Sequence, residues 1–150
     1  MKKIISLAAM VFAFSAITFA QKENVEKGEK KGKISVPADV KSALLKKYPE
    51  ATNPAWEKEK GNYEANWGGK SGEDHSVLFT PAGVFIEIVN AIPVSQLPKA
   101  VSDYVTAHYP KSKITEAGKV TDASGKQYYE AEVNRKDLLF DLNGNYLRKD

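Results

Sequence analysis

Two stretches of the chain place apolar residues three and four positions apart. Val40, Ala43, Leu44 and Tyr48 form one such stripe, and Val101, Tyr104, Val105 and His108 form the other. That spacing predicts two amphipathic helices, each burying one face. Pro37 and Pro98 suit the start of a helix, where a missing N–H costs nothing. Pro49 and Pro110 end them, because the residue before a proline is pushed out of the α region.

After each helix the period changes from 3.6 to 2. Tyr63, Ala65 and Trp67 alternate with Glu64 and Asn66, and Tyr129, Ala131 and Val133 alternate with Tyr128, Glu130 and Glu132. Such alternation predicts half-buried antiparallel strands. The pattern places strands at 55–60, 62–67, 76–80 and 84–89, then at 114–121, 127–134, 137–141 and 145–149. Gly61, Gly83, Gly125 and Gly144 fall in the turns between them.

The two halves also resemble each other in order. Val36-Pro37-Ala38-Asp39-Val40 is echoed by Leu97-Pro98-Lys99-Ala100-Val101, and Tyr48-Pro49 by Tyr109-Pro110, at an offset of 61. Val77-Leu78-Phe79 with Gly83 and Phe85 is echoed at the same offset by Leu138-Leu139-Phe140 with Gly144 and Tyr146. Tyr63-Glu64-Ala65 recurs as Tyr129-Glu130-Ala131, a few residues further displaced. A shared offset across several anchors implies an internal repeat. The expected fold is α+β: tandem α-β4 repeats at 36–89 and 97–150, with both helices on one face of a curved antiparallel sheet. A single unit of this size is small to stand alone, so the two should share a core.

Thr80-Pro81-Ala82-Gly83 and Asp141-Leu142-Asn143-Gly144 predict a type I turn followed by a glycine bulge. In that register Phe79 faces Phe85, and Phe140 faces Tyr146. A two-residue Asn143-Gly144 turn is the alternative; it shifts the facing residues by one and puts Pro81 inside a paired strand.

Composition then fixes the compartment. Two lysines, an uncharged apolar run of about 17 residues and small residues at Thr18 and Ala20 match a secretory signal peptide at 1–20. Its removal takes away Lys2 and Lys3 and leaves 20 basic and 19 acidic groups. That balance is too even for a nucleic-acid-binding field. Residues 21–35, rich in Lys, Glu and Gly, form a charged flexible linker rather than a membrane-binding helix. No later segment is long and apolar enough to span a bilayer. A periplasmic or secreted location is expected, with no membrane insertion after processing, for a chain that is monomeric. The chain contains no cysteine, which excludes disulfides and thiolate chemistry.

The helix signature (Pro37…Tyr48-Pro49 and Pro98…Tyr109-Pro110), the Tyr-Glu-Ala strands and the hairpins Phe79–Phe85 and Phe140–Tyr146 resemble the PepSY-like, β-lactamase-inhibitor-like family of exported bacterial proteins. The resemblance runs from about Val36 to Asp150. It implies tandem α-β4 units and a protein or peptide partner held on the open face of the sheet. The β-lactamase inhibitor proper is disulfide-bonded, and this chain departs from that pattern.

Apparent chemical motifs fail on spacing. Gly68-Gly69-Lys70-Ser71-Gly72 suggests a phosphate loop, but Glu64 stands where the first glycine belongs and a strand follows. Asp141-Leu142-Asn143-Gly144-Asn145 suggests a calcium loop, but its glycine comes two positions early and the chain ends before the glutamate. With His75 and His108 the only histidines, no nucleophile, base and acid converge. No cofactor, no metal and no catalytic residue are therefore expected, and the protein is read as a non-enzyme. Trp56 and Trp67 are read as core or core-edge residues.

The candidate site is the sheet face turned away from the helices. It should present Glu64, Asn66, Leu78, Ile86, Tyr128, Glu130, Glu132 and Leu139, apolar residues rimmed by carboxylates. The connector 90–96 is the feature most able to cover it. The expected function is an exported, non-catalytic binding or inhibitor-type protein that engages a protein or peptide of the cell envelope through this face. The alternative is a periplasmic small-ligand or envelope-stress binding protein with its pocket between helix and sheet.

Overall fold

The computed structural model describes residues 34–149. The expected leader at 1–20 and the linker up to residue 33 lie outside the described residues. The last linker positions differ from expectation, because Ile34 packs against the first core cluster.

Helix α1 (Ala38–Lys47) is followed by β1 (Ala55–Glu59), β2 (Asn62–Trp67), β3 (His75–Phe79) and β4 (Phe85–Ala91). A short 3₁₀ turn at Val94–Gln96 leads into α2 (Lys99–His108), then β5 (Ile114–Asp122), β6 (Gln127–Val133), β7 (Lys136–Phe140) and β8 (Tyr146–Lys149). Pro37 and Pro98 are the N-cap residues, one position before the helices proper. Tyr48 and Tyr109 close the helices with bonds from their N–H groups to the Leu44 and Val105 carbonyls.

The eight strands form one antiparallel sheet in sequential order, with β1 and β8 at its edges. Strand β4 pairs with β5 from Glu87↔Asp122 to Ala91↔Gly118, so α2 is the crossover between two adjacent strands. Val40 and Leu44 of α1 seat on Tyr63, Ala65, Trp67, Val77 and Phe79. Val101 and Val105 of α2 seat on Ala131, Val133, Leu138 and Phe140. Trp67 is buried in the first cluster and Trp56 packs against it. A third, smaller cluster of Val120, Tyr128 and Leu139, with Val89 against it, takes the alternate strand positions. It therefore lies on the reverse face, which shows that both helices cover the same side.

The hairpins β3–β4 and β7–β8 have the expected glycine-bulge turn. Gly83 N–H donates to the Thr80 carbonyl and Gly144 N–H to the Asp141 carbonyl, each at 2.9 Å. Both glycines have positive φ, +75° and +85°. Each hairpin tip also lies beneath a helix start: a Cβ on Gly83 would come within 2.9 Å of the Asp39 carbonyl oxygen, and one on Gly144 within 2.9 Å of Ala100 Cβ. Phe79 faces Phe85 and Phe140 faces Tyr146. Their rings meet edge to face at 6.0 and 5.8 Å, the favourable geometry for aromatic pairs.

A second irregularity was not expected. Between Leu78 and Phe79 the register slips, so Leu78 faces Glu87 and Ile86 is the extra residue. The same slip in β7–β8 sets Leu139 opposite Arg148. A bulge of this kind leaves one residue unpaired and bends its strand.

Candidate binding groove

Across the helix-free face runs an open groove of about 440 Å³. Leu78 of β3, Val89 and Ala91 of β4 and Gly118 of β5 lie along it, and the connector residues Ile92, Pro93 and Val94 form an apolar wall. Gly118 keeps its floor low: a Cβ there would run into Val89 Cγ1 at 2.4 Å. The rest of the lining is mostly acidic. Nine of the lining residues are Asp or Glu and, among the described residues, none is Lys or Arg. The lysine side chains placed by ring contacts lie on the helix side, Lys47 over Phe85 and Lys58 over Tyr63.

Four of the eight expected site residues line this groove: Glu64, Asn66, Leu78 and Glu130. Asn66 is nonetheless buried, and Glu64 accepts a hydrogen bond from the Ser76 hydroxyl. Four do not line it. Ile86 is displaced by the bulge, and Glu87 takes its place opposite Leu78. Tyr128 and Leu139 are on the expected face but only 7% and 2% exposed, packed with Val120. The Tyr128 hydroxyl donates to the Glu87 carboxylate, and burial followed by this bond pushes the phenol's pKa far up. These two side chains hold the sheet together under the groove rather than presenting a surface.

Glu132 is the fourth, and it is 5% exposed. Its Oε1 accepts a hydrogen bond from the Thr115 hydroxyl, while its buried Oε2 has no hydrogen-bond partner. It sits opposite Asp137 on β7, and the β5 bulge between Ile114 and Ala117 brings Thr115 and Glu116 beside it. Thr115, Glu116 and Asp137 all line the groove, so Glu132 lies at its wall. The Glu116 carboxyl is held above the usual range by burial, then by repulsion from Glu132 and Glu73.

Alternation along β2 and β6 identified one bank of the groove. Missed were Glu57 and Glu59 of β1, Glu73 and Asp74 of the β2–β3 connection, Glu87, Glu116 and Asp137. The alternation signal extends to Glu57 and Asp137, whereas Glu87 and Glu116 depend on bulges.

The rejected motifs have structural roles. A side chain on Gly69 would collide with the Asp74 carboxylate, so an acid fills the space a phosphate would need. Asp141 accepts bonds from the N–H groups of Asn143 and Asn145, at 2.9 and 2.8 Å, which close the hairpin turn. The His75 ring packs tilted against Trp67 with its Nδ1 2.8 Å from Asn90 Oδ1, and His108 stacks on Tyr104 at 4.0 Å. Among the described residues no helix is long and apolar enough to cross a membrane.

Residues 69–148 match the model of the family described as "putative beta-lactamase-inhibitor-like, PepSY-like". No curated protein sequence matches the chain. Three crystal structures share the fold. A "putative periplasmic" protein of Bacteroides eggerthii is 24% identical, with TM-score 0.60, covering 77% of this chain and 88% of its own. A DUF2874 family protein of Bacteroides uniformis is 24% identical, with TM-score 0.59 and coverages of 76% and 88%. A BLIP-like protein of Bacteroides fragilis is 21% identical, with TM-score 0.56 and coverages of 79% and 88%. With more than half its length matched by the family model, the chain belongs to the PepSY-like, beta-lactamase-inhibitor-like family.

Proposed function

We propose that the protein is exported and non-catalytic, and that it binds a protein or peptide in the groove on the helix-free face of its sheet. The observation that carries this reading is a groove with an apolar floor and wall and a carboxylate rim, on a face that neither helix covers. Such a mixture suits a partner surface better than a small apolar ligand. The inhibitor-like family supports a binding role, and the leader-like sequence at 1–20 together with the neighbour described as periplasmic supports export. We infer further that the two α-β4 halves are copies of one unit, supported by their equal element order and matching hairpins. The reading that places a pocket between helix and sheet is not favoured. That space is filled by Val40, Leu44, Val77 and Phe79 in one half and by Val101, Leu138 and Phe140 in the other, each at most 1% exposed.

A photo-crosslinking residue placed in the producing cell at Leu78 in the groove, and separately at exposed Leu45 on α1, tests the reading. One discrete protein adduct from Leu78 and none from Leu45 supports it. Adducts from Leu45 alone, or no protein adduct from Leu78 together with thermal stabilisation by a small envelope metabolite, would overturn it.

A further inference from the structure

Without its leader the protein has 20 basic and 19 acidic groups, a near balance, yet its groove is lined by acids and by no Lys or Arg among the described residues. Beside that asymmetry stands an independent observation at one end. The Glu132 carboxylate is nearly sequestered from water, one of its oxygens has no donor, and Glu116 and Asp137 border it. A buried carboxylate oxygen without a donor is costly, and added negative neighbours raise the cost. A donor brought by a partner relieves the first cost, and a positively charged donor relieves both. Hydroxyls meet part of the demand at Glu64, Glu87 and Glu132, but they bring no charge.

Building on the proposed binding role, we propose that the groove's occupant is an extended cationic peptide segment, one of whose arginine or lysine side chains is received by Glu132, Glu116 and Asp137. A metal ion is the other cation to weigh. Among the described residues no group of three or more His, Asp or Glu is disposed to hold one. The spread of acids along the groove fits several N–H donors on a chain better than a point charge. A guanidinium is favoured there, since its fork can meet the groove-lining carboxylates of Glu116 and Asp137 while the neighbouring Glu132 charge adds attraction. Burial, then the charges of Glu132 and Glu73, also push the Glu116 carboxyl up. The lining extends from Glu57 on β1 to Asp137 on β7, six strand spacings of roughly 4.8 Å, or about 29 Å. An extended segment of roughly nine residues spans that distance.

The test is fluorescence anisotropy with the protein purified from the producing cell and three labelled nonapeptides: Arg/Ala alternating, Gln/Ala alternating and Glu/Ala alternating. The arginine peptide should bind, weaken as salt rises, and lose about tenfold or more in affinity with Glu132→Gln. Glu64→Gln should weaken it less. Equal binding of the Arg and Gln peptides overturns the proposal. So does an unchanged affinity for Glu132→Gln in a variant that melts at or above the parent, which would make Glu132 a structural residue only. Saturable binding of calcium alone, lost with Glu132→Gln, would replace the peptide by a metal. The two readings fail separately: a protein crosslinked at Leu78 through a neutral or acidic segment would leave the binding role standing and end this proposal.

Discussion

The groove exists because both helices are held to one side, and the hairpin glycines beneath them offer a direct probe. Gly83, Gly125 and Gly144 have nearly the same backbone, with φ of +75°, +83° and +85°. Replacing any of them by alanine incurs the left-handed penalty, about 1–2 kcal/mol, partly offset by about 0.4–1 kcal/mol from a less flexible unfolded chain. Their surroundings differ. Nothing lies within 4 Å of a Cβ on Gly125. On Gly144 it would meet Ala100 Cβ at 2.9 Å and Pro98 Cβ at 3.0 Å, and on Gly83 the Asp39 carbonyl oxygen at 2.9 Å. Overpacking of this sort typically adds about 1–3 kcal/mol. Gly125→Ala should therefore cost about 1 kcal/mol, and Gly144→Ala and Gly83→Ala about 2–4 kcal/mol each. Urea unfolding followed by tryptophan fluorescence measures the difference, which corresponds to a midpoint lowered by about a further 1 M for the two packed sites. The reasoning is refuted if all three variants unfold at the same urea concentration, because the helix starts would then not rest on the hairpin tips.

Two further outcomes are expected. Leu139→Ala removes a buried side chain from the small cluster under the groove and should cost about 2–5 kcal/mol in a denaturant titration; a loss below about 1 kcal/mol would contradict its assigned packing role. Glu116 has a carboxyl raised above 4.5 in the fold, so its ionisation opposes folding: the stability tied to its protonation is complete below 4.5 and is lost as pH rises through the raised value. Glu116→Gln should thus melt higher than the parent at pH 7 and lose that advantage below pH 4.5, as read by thermal scans at the two pH values.

Local chemistry was enough to place much of this protein. The three-and-four spacing of Val40, Leu44, Val101 and Val105, with prolines at both ends, defines the helices, and the alternation of Tyr63, Ala65 and Trp67 names the side of β2 that meets α1. Thr80–Gly83 and Asp141–Gly144 carry their turn type within four residues, because the positive φ at the fourth position and the polar first residue are local demands. The site was legible only in outline. Alternation tells which face a residue takes, but exposure depends on what stands beside it on neighbouring strands, which is how Tyr128, Glu132 and Leu139 come to be buried on a face that no helix covers. The bulge after Leu78 replaces Ile86 by Glu87 without any mark in the sequence, because an extra residue in a strand shows only once a partner fixes the register. The concentration of acids is likewise tertiary: Glu57, Glu73, Glu87, Glu116 and Asp137 stand far apart in a chain of near-balanced charge, and only the pairing of eight strands brings them to one groove.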